Sequence, residues 1–341
     1  MKDRTYDEIM RDIESGLSGD PKEDADYLKE MAEVYRDHEE ADRIHRAIAR
    51  LLYGLLPAEG QAKFAADTDK DRRDIMERIE NVRFLMFRKK DEEALREMEE
   101  LVEMAEHSLY ADEDASMYFS FNEAFEEVLY IAIHQPAKEV RRAAIPMSRI
   151  YGTYGILLVE LGRVEEAQKA LEKGLRWNPI DCEIRAEYDE TFKMQKDYER
   201  YLNEVLASFR YIFRPKYLAR AFRDIGYYFI ENKMYSEATF LYWMSMRYEP
   251  DSRTAQAELY YIEQMAEEEV KQLSVNEVRA LSETYEFPLG ADKLVLNLAY
   301  QMGKHRLETH QPGAEYFLTI AYDFTHDEEI KGMLDSIVKP A

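Results

Sequence analysis

Residues 151–179 read YGTYGILLVELGRVEEAQKALEKGLRWNP, and residues 222–250 read FRDIGYYFIENKMYSEATFLYWMSMRYEP. Laid over one another without a gap, the two stretches share a pattern of residue sizes. Tyr151, Gly155, Ala167, Leu171 and Pro179 fall on Phe222, Gly226, Ala238, Tyr242 and Pro250, every pair offset by 71 residues. Apolar residues inside each stretch recur at three- and four-residue spacing, the period of a helix with one buried face. Each stretch therefore reads as two helices joined by a short turn, GRVE in the first and ENKMY in the second. Gly155 and Gly226 let the first helix of the pair approach the second. Ala167 and Ala238 are small because that first helix presses on them. Pro179 and Pro250 stop the second helix. Between the stretches, residues 182–215 hold one more helix pair, with Tyr188, Phe192, Tyr198 and Tyr201. Two units of about 34 residues and a few extra account for the offset.

The same period extends outward in both directions. The pattern predicts helices over residues 5–15, 22–35, 38–55, 69–87, 92–107, 117–133, 147–161, 164–177, 182–194, 198–212, 217–231, 235–247 and 252–272. Three more follow at 275–285, 293–302 and 312–324, with a short helix after Asp327. The loops are short, as antiparallel neighbours require. Alternation of β-branched residues is nearly absent, so the fold class is all-α.

These features resemble the tetratricopeptide repeat family. Its pattern places an aromatic residue, then a large apolar residue and glycine, an alanine 12 residues after that glycine, and a closing proline. Tyr151, Tyr154, Gly155, Leu158, Ala167, Leu171, Gly174 and Pro179 fill those slots, as do Phe222, Ile225, Gly226, Phe229, Ala238, Tyr242, Ser245 and Pro250. The best matches are 148–181 and 219–252. Around residues 78–105, Ala94, Met98 and Leu101 keep repeat spacing, but Asn81 and Val82 occupy the apolar–glycine slots. Near the C-terminus Ala314, Leu318 and Ala321 keep the second-helix spacing with no matching glycine. The resemblance implies a right-handed α-α superhelix, one continuous solenoid with atypical capping helices at both ends. The expected divisions are an N-terminal helical cap (1–68), the repeats (69–253) and degenerate C-terminal repeats (254–341).

Composition narrows the function. The chain has 341 residues, with 46 basic and 70 acidic, a net charge of −24. That sign repels phosphate backbones and anionic bilayers, which argues against nucleic acid and membrane partners. Its one cysteine, Cys182, excludes an internal disulfide or a multi-cysteine zinc site, and fits a reducing, cytoplasmic setting. The N-terminus has no apolar core of a signal peptide. No glycine-rich phosphate loop, nucleophile elbow or dinucleotide fingerprint occurs. His305 and His310 flank RLET one residue wider than a helical zinc pair and read as solvated loop histidines. Cys182 begins a helix, where a dipole lowers a thiol pKa, or else is a core residue. No catalytic residue, metal or cofactor is expected, and the chain reads as a non-enzymatic bacterial interaction protein.

Charge is also unevenly placed. Residues 91–130 carry 14 acidic side chains and one basic one, Arg96, while residues 205–223 carry five basic ones and no acid. The acidic run reads as a solvated face or as a docking patch for a basic partner; contact with the basic stretch of a second copy would give self-association. The resemblance implies a concave groove lined by first helices, and so assigns Arg149, Ile156, Arg220, Arg223, Tyr227 and Ile230 to a peptide-binding surface. Arg220 and Arg223 share one helical face, and arginine forks hold carboxylates bidentately. An acidic or carboxylate-terminated peptide is the expected occupant; the alternative is that both arginines pair with carboxylates of the chain itself. The expected function is a protein-interaction scaffold or adaptor. The alternative is a peptide-responsive regulator acting on another protein, since residues 1–60 are too acidic to read DNA.

Overall fold

The computed structural model describes residues 4–107, 110, 115–266 and 269–338. The chain forms two compact units, one of residues 1–120 with 136–150, the other of residues 121–135 with 151–341.

The first unit holds α1 (Tyr6–Ser15), α2 (Pro21–Val34), α3 (Ala41–Leu55), α4 (Ala58–Phe87) and α5 (Asp91–Glu106). Helix starts follow the sequence signals. Thr5 and Glu8 form a capping box on α1, and Asp20 caps α2 with Pro21 in its first turn. Ile9, Ile13, Leu28, Ile44 and Ile48 make the core of α1–α3. The helix expected from residue 69 starts at Ala58, so α4 runs unbroken through the expected 68/69 division; Pro57 sits just before it and nothing between 58 and 68 breaks a helix. The acidic run is partly helix α5. Arg78 of α4 pairs with Glu97 and with Glu100 at 2.8 Å, while Glu93, Glu99, Glu100 and Glu103 are exposed. Asp112, Glu113 and Asp114 lie outside the described residues.

One expectation fails here. The helix expected over 117–133 is split. Ser116–Phe119 is a strand, β1, paired in parallel with β2 (Glu139–Arg142). Two features end the helical reading. Glu126 accepts the backbone N–H groups of Asn122 and Glu123, fixing the start of α6 (Ala124–His134) there. The aromatic segment before it joins a strand ladder instead. The all-α description holds apart from this two-stranded ladder.

The second unit contains α6, the length of α7 (Met147–Glu160) from Tyr151 onward, and α8 (Val164–Trp177), α9 (Cys182–Met194), α10 (Tyr198–Ser208), α11 (Pro215–Glu231), α12 (Tyr235–Met246), α13 (Arg253–Met265), α14 (Val275–Tyr285), α15 (Lys293–Glu308), α16 (Ala314–Thr325) and α17 (Glu328–Val338). From α8 to α13 each helix packs on the next. The repeat glycines do what the register requires. A Cβ on Gly155 would lie 2.5 Å from Leu171 Cγ, and one on Gly226 would lie 3.0 Å from Tyr242 Cε2.

One turn recurs across both units. Lys89, Gly162, Lys196, Lys233 and His310 all have positive φ, between 55° and 70°. In each case the next residue donates its N–H to the carbonyl five residues back: Lys90 to Leu85, Arg163 to Leu158, Asp197 to Phe192, Met234 to Phe229, Gln311 to Arg306. That is the Schellman helix ending. It closes the first helix of the pairs α4/α5, α7/α8, α9/α10, α11/α12 and α15/α16. No helix among the described residues is long and apolar enough to cross a membrane.

Candidate functional site

Three successive first helices, α9, α11 and α13, and the floor residue Tyr242 of α12 enclose a cleft of about 280 Å³. Glu190 and Lys193 come from α9, Arg220, Arg223, Asp224 and Tyr227 from α11, and Thr254 and Glu258 from α13. The structure thus brings together three of the expected groove residues, Arg220, Arg223 and Tyr227. Arg149, in the first turn of α7, and Ile156 are half-buried and do not line it; Ile230 is buried in the core.

Both arginines are already engaged. Arg220 donates to Glu187 Oε1 at 2.7 Å and to the Ala186 carbonyl at 2.9 Å, with Asp224 Oδ2 at 3.9 Å from its Nε. Burial works against its charge, yet Asp224 and Glu187 hold its pKa above the usual value. Arg223, 15% exposed, donates to Glu249 Oε2 at 2.6 Å. Elsewhere in the basic stretch, Arg214 pairs with Glu123. The expected open forks for an acidic peptide, or for a second copy's acidic run, are therefore closed by internal carboxylates. The physical reason is burial: a half-sunk guanidinium needs a partner, and the acidic chain supplies one.

The remaining polar groups differ. Lys193 Nζ lies 3.1 Å from Glu190 and 4.4 Å from the centre of the Tyr227 ring. Glu258 makes no hydrogen bond or ion pair among the described residues; burial raises its pKa and the Lys193 charge opposes the rise. Glu190 is raised by burial too, against the pull of Lys193. The lining thus holds three carboxylates (Glu190, Asp224, Glu258) and three cations, and the two arginines are tied to further carboxylates outside it, Glu187 and Glu249.

Below the cleft, Arg220 and Asp224 also border a small cavity of about 20 Å³, with Arg185 and Asp189. Asp189 stands seven residues before Lys196, the slot that Gly155, Gly226 and Gly303 occupy before their own left-handed residues. Burial, and next the charge of Asp224, push its carboxyl well above the usual range. Tyr201, buried, replaces the small alanine of the partner helix. The middle pair is thus built around a buried acid and a phenol where its neighbours have glycine and alanine.

Cys182 is fully buried; its Sγ donates to the Tyr211 carbonyl at 3.3 Å, and burial pushes the thiol up, overriding its place in the first turn of α9. His305 and His310 are both exposed. Sequence reasoning missed Glu190, Lys193, Tyr242, Thr254 and Glu258 as lining residues. A signal existed for two: Thr254 and Glu258 lie 34 residues after Arg220 and Asp224, one repeat on.

Repeated helix hairpins with one turn geometry, glycines at the crossings and a cleft on the first-helix side define an all-α helical-repeat protein. No protein-family model matches the chain, and no curated protein does. Among solved structures it is similar to a tetratricopeptide repeat protein from Parabacteroides merdae, at 13% identity over 98% of this chain and 99% of that one, TM-score 0.32. It is also similar to a chain in the APC/C hetero-tetramer Cut9-Hcn1, at 11% identity over 99% of this chain and 70% of that one, TM-score 0.25.

Proposed function

We propose that this is a non-enzymatic interaction protein that holds a peptide segment of a partner protein in the cleft between α9, α11 and α13. One observation carries the reading: the ring of Tyr227 and charges of both signs converge over the buried Tyr242 in an open cleft of about 280 Å³ formed by successive helix pairs. Aromatic walls with a few placed polar groups suit a segment of extended or helical peptide. The cleft offers no activated nucleophile: Cys182 is sealed in the core and lies outside the cleft.

A photo-crosslinking phenylalanine analogue placed at position 227 tests this. Irradiated with a random heptapeptide pool, it should give peptide adducts. The same analogue at position 87, an exposed phenylalanine of α4, should give few. Equal labelling at both positions, or none at 227, would contradict the reading.

A further inference from the structure

The cleft also says something about the chemistry of its guest, and this step rests on the peptide-binding reading above. We infer that the cleft recognises a basic side chain, lysine or arginine, carried by the bound segment, and that Lys193 occupies this cation position in the unbound protein.

Arg220 and Arg223 are saturated by Glu187, Asp224 and Glu249. An incoming carboxylate would have to displace a short internal ion pair at 2.7 or 2.6 Å, and would then leave a carboxylate of the chain unpaired in a partly buried place. An incoming cation meets no such obstacle. Glu258 is half-buried and unpaired, on the α13 wall. Glu190 faces the cleft from the α9 wall and pairs with Lys193. Tyr227 presents a ring face to a cation already.

Lys193 reports the preferred chemistry. Its ammonium group lies at 4.4 Å over the Tyr227 ring and 3.1 Å from a carboxylate, the arrangement a guest ammonium would adopt. Its side chain is 27% exposed, so it is held against the wall rather than extended into solvent. A guest lysine would pair with Glu258 beside it, or take its place and release Lys193 toward solvent. Removing Lys193 should therefore strengthen guest binding, while removing the charge of Glu258 should weaken it.

The test uses the full chain and three acetylated, amidated heptapeptide pools with a fixed central lysine, glutamate or leucine and random flanks. Retention on immobilised protein is read at low ionic strength. The lysine pool should be retained about fivefold or more over the glutamate pool, the range expected of one partly buried ion pair. Glu258→Gln should bring that ratio close to one without altering the helical spectrum. Lys193→Met should raise lysine-pool retention above wild type; Lys193→Gln, which keeps a hydrogen bond to Glu190, guards against a folding artefact. An equal or greater retention of the glutamate pool, or a ratio unchanged by Glu258→Gln, would overturn the inference. If all three pools are retained equally and Tyr227→Ala abolishes retention, the peptide reading stands and the inference alone fails. Retention of no pool overturns both.

Discussion

The helix pairs α11/α12 and α15/α16 use the same packing device, yet only the first announces itself in the sequence. In α11/α12 the glycine, Gly226, precedes the bulky residue it touches, Tyr242, by 16 positions. Gly155 precedes Leu171 by the same interval. In α15/α16 Gly303 meets Leu318, 15 positions on; an added Cβ would lie 2.7 Å from Leu318 Cγ and 2.9 Å from its backbone nitrogen. The connections differ as well. After Lys233 the next helix resumes at Tyr235, whereas after His310 the chain passes Gln311, Pro312 and Gly313, with φ 89° at Gly313, before α16 begins at Ala314. Counted from the left-handed residue, α16 starts two places later than α12, yet its contact residue Leu318 falls one place earlier than Tyr242. A fixed-interval search loses the pair, and the contact survives because packing depends on distance in space.

The largest effect expected from this comparison is at Gly226. Gly226→Leu should cost about 2–3 kcal/mol by overpacking against Tyr242, read as a fall in the thermal midpoint. An unchanged midpoint would break the register on which the fold description rests. Next is Gly303→Ala, expected to cost about 1 kcal/mol. Its added carbon meets the backbone of α16, which cannot swing aside, and the gain in helix propensity offsets only part of that.

A pH-dependent effect is expected at α6, which is tied to α16 differently. Phe125 stacks edge-on against Phe317, and Tyr316 donates to Glu123 at 2.8 Å. Glu126, 4% exposed, sits behind them, accepting from Asn178 at 2.9 Å; burial, and next the charge of Asp181, raise it to about 7. Its unfolded value is near 4.5. The folded state therefore binds more protons between these values, so this stabilising contribution is complete below pH 4.5 and is lost as pH rises to about 7. Denaturant melts at pH 5 and 7.5 should show a loss of about 2 kcal/mol that Glu126→Gln abolishes. A pH-independent difference between the two proteins would contradict it. The smallest effect is Gly226→Ala. Its carbon would meet only the edge of the Tyr242 ring, so the midpoint should move by less than about 0.5 kcal/mol in equivalent stability. A loss as large as at Gly303 would erase the distinction between the two pairs.

What the sequence disclosed follows the same lines. The pairs at 151–179 and 222–250 were legible because glycine, alanine and proline keep fixed intervals there. The middle pair was counted as a unit from the 71-residue offset alone, since Asp189 and Tyr201 take the glycine and alanine slots. The strand at Ser116–Phe119 was hidden because its partner, Glu139–Arg142, is charged and carries no alternation. At the cleft, Arg220, Arg223 and Tyr227 of α11 line one surface, while Ile230 turns into the core. Their pairing was not legible, because Glu187 and Glu258 come from other helices and Glu249 from the turn after α12. Spacing reports which residues share a helix face; it does not report which distant carboxylates fold against it.

Amide hydrogen exchange, with and without the lysine-centred peptide pool, is the most direct test of the cleft. The account predicts slowed exchange in α9, α11 and α13, with α1–α3 unchanged. Slowed exchange in the first unit, with α9, α11 and α13 unaffected, would contradict it.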